Sequence, residues 1–148
     1  MISVTALQPD DYPAWADLFG GYNAFYGRTW PADRYDQAWR EFRDGEKVLV
    51  LGARLDGRLA GIAHFLVHAS TTSADVCYLQ DLFTAPEARG QGVARALIRA
   101  IEEWARGRGC DRLYWHTRDD NHQARRLYDQ VAENRGFIQY VMPLPAAD

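Results

Sequence analysis

The chain has 148 residues, 47% of them hydrophobic, so it can bury a core and is not intrinsically disordered. Its formal net charge is −3 and no basic block occurs, which argues against a nucleic-acid partner. No run of about 18 apolar residues is present, so neither a membrane span nor a membrane partner is expected. We therefore expect one globular domain, residues 1–148.

The cysteine content and the N-terminal sequence both favour a cytoplasmic protein. The opening residues, MISVTALQPDD, lack the charged and apolar regions of a signal peptide. The only cysteines are Cys77 and Cys110, and two cysteines do not make a disulfide framework. A reducing compartment is the simplest environment for such a chain.

The first part of the chain predicts a short strand and two helices. Residues 3–7 have the character of a strand, and Pro9 opens a helix whose apolar side chains recur at helical steps. The glycine pair at 20–21 should weaken that helix, and Pro31 is placed to begin the second one. Both helices are rich in aromatic residues, which most often pack in a core.

Two strands follow, at residues 47–55 and 58–68. They are joined by Asp-Gly, which is a strong signal for a β-hairpin. His64 and His68 are four residues apart and share a face of the second strand. A zinc site would need further ligands within reach, and no such set is visible, so we interpret both as ordinary strand histidines and expect no metal.

The most informative stretch is a strand, a glycine loop and a long helix. Residues 76–84 predict a buried strand, interrupted only by Gln80 and Asp81. From Val93 onwards, apolar residues recur at steps of three and four and predict a helix that ends near Gly107. The long helix therefore begins a few residues after the strand ends.

The loop before this helix, Arg89-Gly90-Gln91-Gly92, suits a phosphate group. A helix N-terminus has free N–H groups and a partial positive charge, and the two glycines allow close approach by a ligand. The functional interpretation is a pyrophosphate-bearing cofactor, and the alternative is a simple glycine turn. The loop lacks both the three-glycine dinucleotide fingerprint and the Walker lysine.

The rest of the chain predicts a strand, a helix and a last strand. Residues 109–117 form the first of these, and the polar turn at 118–121 caps a helix that continues towards Gly136. Residues 137–144 are expected to form the last strand. The predicted order is βααβββαβαβ, an α/β (α+β) fold with a mixed, mostly antiparallel sheet and helices on both faces.

Two motifs together resemble those of the GNAT N-acetyltransferases. Arg89-x-x-Gly92-x-Ala94 resembles the Q/R-x-x-G-x-G/A acetyl-CoA signature, and residues 121–128, N-x-x-A-x-x-L-Y, resemble a later helix of that family. The strand at 78–84 is similar to the family strand that leads into the signature. The resemblance covers residues 76–142 well and extends to the N-terminal half only in element order. The subgroup is that of the small yeast-type histone and D-amino-acid acetyltransferases, with diamine acetyltransferases nearby.

The resemblance implies the GNAT fold and direct transfer of an acetyl group from acetyl-CoA to a primary amine. A small amine, an amino acid or a polyamine is the preferred acceptor, and a protein or histone lysine is the alternative. A non-catalytic acyl-CoA-binding sensor is the competing function from another class. The subgroup also makes a homodimer possible.

The resemblance further implies which residues hold the two substrates. The end of the strand offers peptide groups to the pantetheine arm, the loop and helix start hold the pyrophosphate, and Asn121 either orients the arm or caps its helix. The cofactor-binding set is Leu82, Phe83, Thr84, Arg89, Gly90, Gln91, Gly92, Val93, Ala94 and Asn121. Because the first two helices and their connection border the acceptor site in the family, Tyr22, Phe25 and Tyr26 are expected to bind the acceptor. Gln80, in the strand, completes the acceptor-binding set.

Tyr128 is the expected catalytic acid. The resemblance implies that the tyrosine at this position donates a proton to the CoA sulfur, and a phenol and a thiol are of comparable acidity. The alternative is a core tyrosine, because Tyr128 lies on an apolar helical stripe.

Asp81 is the expected catalytic base, acting on the amine directly or through a water molecule. Diamine acetyltransferases carry a glutamate at the position of Gln80, and glutamine has no useful basicity, so that role is lost here. Strand alternation would send Gln80 and Asp81 to opposite faces unless a β-bulge intervenes. The alternative for Asp81 is a structural carboxylate with satisfied partners.

Overall fold

The computed structural model describes residues 1–146, which fall into two compact units, the first spanning Met1–His116 and the second beginning at Thr117. The first unit contains a five-stranded sheet in sequential order. Its strands are β1 (Ile2–Thr5), β2 (Leu49–Leu55), β3 (Arg58–His68), β4 (Val76–Thr84) and β5 (Arg112–Tyr114). The pairs from β1 to β4 are antiparallel and the β4–β5 pair is parallel. The predicted mixed, mostly antiparallel sheet is confirmed.

Helices cover both faces of this sheet, as predicted. The first unit holds α1 (Tyr12–Phe25), α2 (Ala32–Asp44) and α3 (Val93–Gly107), and the second holds α4 (His122–Val131). A Cβ added to Gly61 of β3 would lie 2.5 Å from Cγ1 of Val93, so this face meets α3. His64, three residues further along β3, contacts Trp15 of α1 on the opposite face. The sheet is therefore the middle layer between α3 and the α1–α2 pair.

Helix α1 runs without a break through the glycine pair that was expected to weaken it. A Cβ added to Gly21 would lie only 2.9 Å from Cζ of Phe83, a ring of β4. The close approach of helix to strand needs glycine here, and tertiary packing outweighs the lower helix propensity.

The predicted hairpin is confirmed in detail. Asp56 and Gly57 connect β2 to β3 with φ values of 52° and 86°. Two successive positive φ values are those of a type I′ turn, whose twist matches that of paired strands. This turn sets the register between β2 and β3, in which His64 lies opposite Val50.

Residues 137–144 do not form the strand predicted for them. Their large apolar side chains are between 70% and 88% exposed: Phe137, Ile138, Tyr140, Val141, Met142 and Leu144. A strand exists only as part of a hydrogen-bonded ladder, and within residues 1–146 no strand pairs with this segment. The predicted order holds as far as α4, which ends at Val131 rather than near Gly136.

None of the helices within residues 1–146 combines the length and the apolar character that crossing a bilayer requires.

Candidate active site

A β-bulge in β4 decides which side chains face the site. His64 pairs with Asp81, whereas its neighbour Phe65 pairs with Leu79, so Gln80 is the extra residue on β4. The bulge turns Asp81 towards His64 and leaves Gln80 exposed to solvent. The β-bulge that would interrupt strand alternation at Gln80 and Asp81 is therefore present.

The carboxylate of Asp81 lies at the end of a buried hydrogen-bonded chain. Oδ2 of Asp81 is 2.8 Å from Nδ1 of His64, and the Nε1–H of Trp15 donates to Nε2 of His64 at 2.9 Å. Trp15 is 0% exposed and His64 is 2% exposed. The Asp81 side chain keeps 17% of its surface exposed, so a ligand can reach it.

Sequence reasoning missed the role of His64, which was interpreted as an ordinary strand histidine. The signal was its place on the hairpin strand next to β4. Using that signal would have required the register between β3 and β4. That register depends on a bulge for which no glycine or other turn residue in the sequence gives a sign. Within residues 1–146, no three His, Cys, Asp or Glu side chains cluster as metal ligands would.

Tyr22 of α1 is a second hydrogen-bond partner of the Asp81 carboxylate. Burial, followed by the charge of Asp81 and a hydrogen bond to it, raises the pKa of the Tyr22 phenol. The phenol therefore stays protonated and is a neutral donor to Asp81. Its ring meets Tyr26 edge-on at 5.0 Å between centroids and Phe83 at 6.4 Å.

Arg28 is a second residue that sequence reasoning missed. Its guanidinium carbon lies 5.6 Å from the ring centroid of Tyr22 and 5.2 Å from that of Tyr26, which are cation–π distances. The turn after α1 produces this placement, because Gly27 adopts φ 71° and the Arg28 N–H then donates to the Asn23 carbonyl at 2.8 Å. The glycine after the aromatic run was the available signal.

The four predicted acceptor-binding residues are not equivalent. Tyr22 and Tyr26 lie beside Asp81 and Arg28, as described above. Phe25 is 59% exposed and contacts the ring of Tyr26 at 5.1 Å between centroids. Gln80 is exposed on the bulge. The structure thus places Tyr22 against the carboxylate and Tyr26 against Tyr22, and leaves Phe25 and Gln80 exposed to solvent.

The end of β4 has a strand on one side only. β5 pairs with Val76–Tyr78 alone, so within residues 1–146 no strand pairs with the outer edge of β4 beyond this point. On the inner side, Leu82, Phe83 and Thr84 pair with β3. Alternate peptide groups of this stretch therefore point away from the sheet and can pair with an extended ligand.

The glycine loop has the backbone geometry of an anion site. Gly90 and Gly92 have φ values of 78° and 89°, and a Cβ at Gly90 would have no neighbour within 4 Å. Gly92 is the N-cap of α3, and within residues 1–146 no side chain caps this terminus. The first N–H groups of α3, from Val93 and Ala94 onwards, are thus directed into an open loop.

The side chains of the loop play different parts. The Arg89 guanidinium carbon lies 5.6 Å from the Phe83 ring centroid. The Gln91 side chain donates to the Glu87 carbonyl at 3.4 Å and so supports the loop. Val93 is 2% exposed, so it can offer a ligand only its backbone. An open loop, an uncapped helix terminus and a guanidinium together fit a pyrophosphate.

The second unit carries the two remaining predicted residues. Asn121 precedes α4, and its Nδ2 donates to Oγ1 of Thr117 at 3.1 Å instead of capping the helix with its side chain. The Asn121 carbonyl accepts the Arg125 N–H at 3.0 Å. Tyr128 is half-buried on α4. Of the two alternatives for Asn121, a side-chain cap is therefore wrong.

The fold, the bulged strand with its open edge and the glycine loop define an acetyltransferase. The sequence profile of the Acetyltransferase (GNAT) family matches residues 15–132, and the chain belongs to that family.

Its relatives with stated activities are N-acetyltransferases. The D-amino-acid N-acetyltransferase HPA3 of Saccharomyces cerevisiae is 32% identical over 143 residues, 94% of this chain and 89% of the relative. The aminoglycoside N(6')-acetyltransferase type 1 of Stenotrophomonas maltophilia is 30% identical over 151 residues, 96% and 94% of the two chains. The chain is therefore an acetyl-CoA-dependent N-acetyltransferase, as the motifs implied.

Solved structures agree on the fold. AAC(6')-Iy in complex with the bisubstrate analogue CoA-S-monomethyl-acetylneamine superposes with a TM-score of 0.85 at 19% identity, covering 98% of this chain and 99% of the other. The ribosomal-protein-alanine N-acetyltransferase of Brucella melitensis gives a TM-score of 0.83 at 24% identity, covering 97% and 100%.

Proposed function

We propose that this protein acetylates the amine of a small molecule and that Asp81 receives the amine. The observation that carries the proposal is the Asp81 carboxylate itself, which the bulge turns towards His64 and whose side chain keeps 17% of its surface exposed. A carboxylate binds an ammonium group and can take its proton, which leaves the neutral amine that acyl transfer requires.

The acetyl donor would lie along the outer edge of β4. Acetyl-CoA supplies a thioester, whose carbonyl carbon forms the new bond to nitrogen while its bond to sulfur breaks. Leu82, Phe83 and Thr84 would offer peptide groups to the pantetheine arm. The loop and helix start from Arg89 to Ala94 would hold the pyrophosphate, and Asn121 would orient the arm.

Tyr128 is the proposed acid. Its hydroxyl would give a proton to the departing thiolate and regain one from the nitrogen as the amide forms, while the proton that Asp81 took from the ammonium group leaves to solvent. The support is the match of residues 121–128 to the N-x-x-A-x-x-L-Y helix of the family.

An amino acid is the acceptor that the pocket favours among small amines. Asp81 can bind an ammonium group, and Arg28 presents a guanidinium whose carbon lies 5.6 Å from the centroid of the Tyr22 ring. No ion pair to Arg28 is found within residues 1–146. A ligand with both an amine and a carboxylate would satisfy both charges, whereas a polyamine would face a like charge at Arg28. The relation to a D-amino-acid N-acetyltransferase supports this choice.

Thermal unfolding with acetyl-CoA, ATP and NAD tests the cofactor, and release of free thiol tests turnover. Acetyl-CoA alone should raise the unfolding temperature, since a ligand at a hundredfold excess over Kd adds about 2.7 kcal/mol of stability. Free CoA should then appear with amino acids as acceptors. Stabilisation without thiol release from any amine in a broad panel would identify a non-catalytic acyl-CoA sensor. No stabilisation at millimolar acetyl-CoA would refute the glycine-loop assignment.

A homodimer is proposed from the exposed segment 137–144. Six large apolar side chains there are at least 70% exposed, and such an apolar run usually marks an interaction site. A second copy is the partner we propose, because within residues 1–146 no strand pairs with the outer edge of β5, and an extended segment could pair there. Light scattering should give a dimer mass for the native chain and a monomer mass for an Ile138→Lys, Val141→Lys variant. A monomeric native chain would refute the dimer.

Both units are proposed to work as one domain of residues 1–148, since the family match runs through residues 15–132 without interruption. A cytoplasmic location is proposed from the two free cysteines, Cys77 and Cys110.

A further inference from the structure

We infer that Trp15 and His64 form a one-way chain of hydrogen-bond donors that positions Asp81 and makes its carboxylate, not the imidazole, the end point for the substrate proton. The inference rests on the proposed function of Asp81 and adds two positioning residues, neither of which touches the substrate. It is carried by the chemistry of three side chains and two short distances.

The first step concerns the indole of Trp15. An indole N–H can donate a hydrogen bond but cannot accept one. The Trp15 side chain is fully buried, and Nε2 of His64 lies 2.9 Å from its nitrogen. Nε2 must therefore be the acceptor, and it carries no proton.

The second step fixes the other nitrogen of His64. A neutral imidazole has one N–H, and since Nε2 has none, the proton is on Nδ1. Nδ1 is 2.8 Å from Oδ2 of Asp81, so it donates to the carboxylate. Every donor in the chain Trp15–His64–Asp81 points towards Asp81.

The direction of this chain decides where the substrate proton goes. In a serine-protease triad the imidazole accepts the proton and the aspartate orients the ring. Here Nδ1 of His64 already holds a proton and Nε2 is occupied by the indole, so His64 has no free position for another. A proton taken up by Asp81 stays on that carboxylate until it leaves through the exposed part of the side chain.

Packing holds the imidazole in this orientation. The rings of Phe19 and Phe42 each lie 4.8 Å from the His64 ring, measured between centroids, and they come from α1 and α2. The two helices thus prevent the imidazole ring from turning, and its Nδ1–H stays directed at Oδ2 of Asp81. The other lone pairs of Asp81 are left for Tyr22 and the amine.

Two substitutions at position 64 separate positioning from mere packing. His64→Asn keeps an N–H donor close to the place of Nδ1, whereas His64→Phe keeps the aromatic volume and removes the donor. We expect kcat/KM for the amine to fall roughly 10- to 100-fold in the Phe variant, as for the loss of one hydrogen bond to a charged group. The Asn variant should recover most of that loss even where it unfolds at a lower temperature.

The matched control is His68→Phe, which alters the same strand but removes a bond to Tyr114 instead. It should retain kcat/KM within about twofold, because surface changes away from the site have small effects. The Kd for acetyl-CoA should be the same in all three variants. If kcat/KM followed the unfolding temperature, so that the Phe variant were both more stable and more active than the Asn variant, His64 would be only structural. That result would overturn the inference.

A spectroscopic measurement decides the tautomer independently of turnover. Two-bond proton–nitrogen NMR correlations of His64 should show the Nδ1–H tautomer in the native protein, and in Trp15→Phe the Nε2–H form should become populated. A native spectrum with a proton on Nε2 would overturn the inference. If no amine is acetylated the proposed function fails, while the tautomer still decides whether the donor chain exists.

Discussion

Oδ2 of Asp81 lies 2.8 Å from Nδ1 of His64 because one extra residue, Gln80, interrupts the ladder between β3 and β4. Without the bulge, Asp81 would face the α3 side of the sheet and Gln80 would face His64. The local backbone, more than the identity of the acidic residue, therefore makes this carboxylate available to an amine.

Replacing Asp81 by asparagine should abolish most of the activity while the protein stays folded. Asparagine keeps the shape and an oxygen for His64 but cannot take the amine proton, so kcat/KM should fall about 10²- to 10⁴-fold. Steady-state kinetics with the best amino-acid acceptor measures this. Asp75→Asn, which changes the exposed residue just before β4, is the control and should behave as the native enzyme. Native activity in Asp81→Asn would rule out Asp81 as the base.

Removing the hydroxyl of Tyr128 should affect the chemical step. In Tyr128→Phe, kcat should fall roughly 100-fold and KM for the amine should change little, because a proton donor to the leaving group acts in the transition state. Tyr12→Phe is a suitable control, since it removes a surface hydrogen bond to Asp36 of 2.6 Å. Equal kcat values for the two variants would contradict the assignment of Tyr128.

Arg28 should discriminate between an amino acid and the same amine without its carboxylate. Arg28→Gln should raise KM for the amino acid about tenfold or more, since it removes a charge-assisted hydrogen bond. KM for the decarboxylated amine should stay the same or fall. The control Arg34→Gln removes a guanidinium that stacks on Trp30 at 5.0 Å. If the Arg28 variant lost affinity for both ligands alike, Arg28 would not be a carboxylate site.

A methyl group at Gly61 should disturb the start of α3. The added Cβ would lie 2.5 Å from Cγ1 of Val93 and 3.2 Å from Cδ1 of Leu97. Overpacking of this kind costs about 1–3 kcal/mol. Gly61→Ala should also weaken acetyl-CoA binding, because Val93 begins the helix whose N–H groups we propose to hold the pyrophosphate. Gly107→Ala, at the end of α3 where a Cβ meets nothing within 4 Å, should leave acetyl-CoA binding unchanged and should not destabilise the fold. Denaturant titration and calorimetric binding measure the two effects.

Asp11 should make stability depend on pH in the acid range. Hydrogen bonds from the Arg54 guanidinium and the Gln8 N–H, at 2.7 and 2.8 Å, hold the pKa of Asp11 below its ordinary value. The unfolded chain then binds the proton more readily, so the stabilisation is present above about pH 4 and is lost as pH falls through the lower folded pKa. Asp11→Asn should cost about 1–2 kcal/mol at pH 7 and progressively less in acid.

The control for this pH dependence is Asp10→Asn, which changes an exposed neighbour. Its free energy of unfolding should stay within about 0.5 kcal/mol of the native value at every pH. A constant difference between Asp11→Asn and the native protein from pH 7 down to pH 2 would contradict the role of the ion pair.

The sequence predicted those parts of the structure that local chemistry determines. The Asp56-Gly57 turn specifies the hairpin and the apolar stripe specifies α3, so both of these predictions were correct. The segment 137–144 has the composition of a strand, but composition supplies no ladder partner, and the structure shows it exposed. His64 and Arg28 could not be assigned to the site because one depends on a bulge and the other on a turn that follows a helix.

Phe83 is in contact with both halves of the site. Its ring packs against Gly21 of α1 on one side, lies 6.4 Å from the Tyr22 ring, and supports the Arg89 guanidinium at 5.6 Å. A phosphate that bound Arg89 would act on the same ring that borders Tyr22. Through this one phenyl ring we therefore expect the binding of either substrate to alter the affinity for the other.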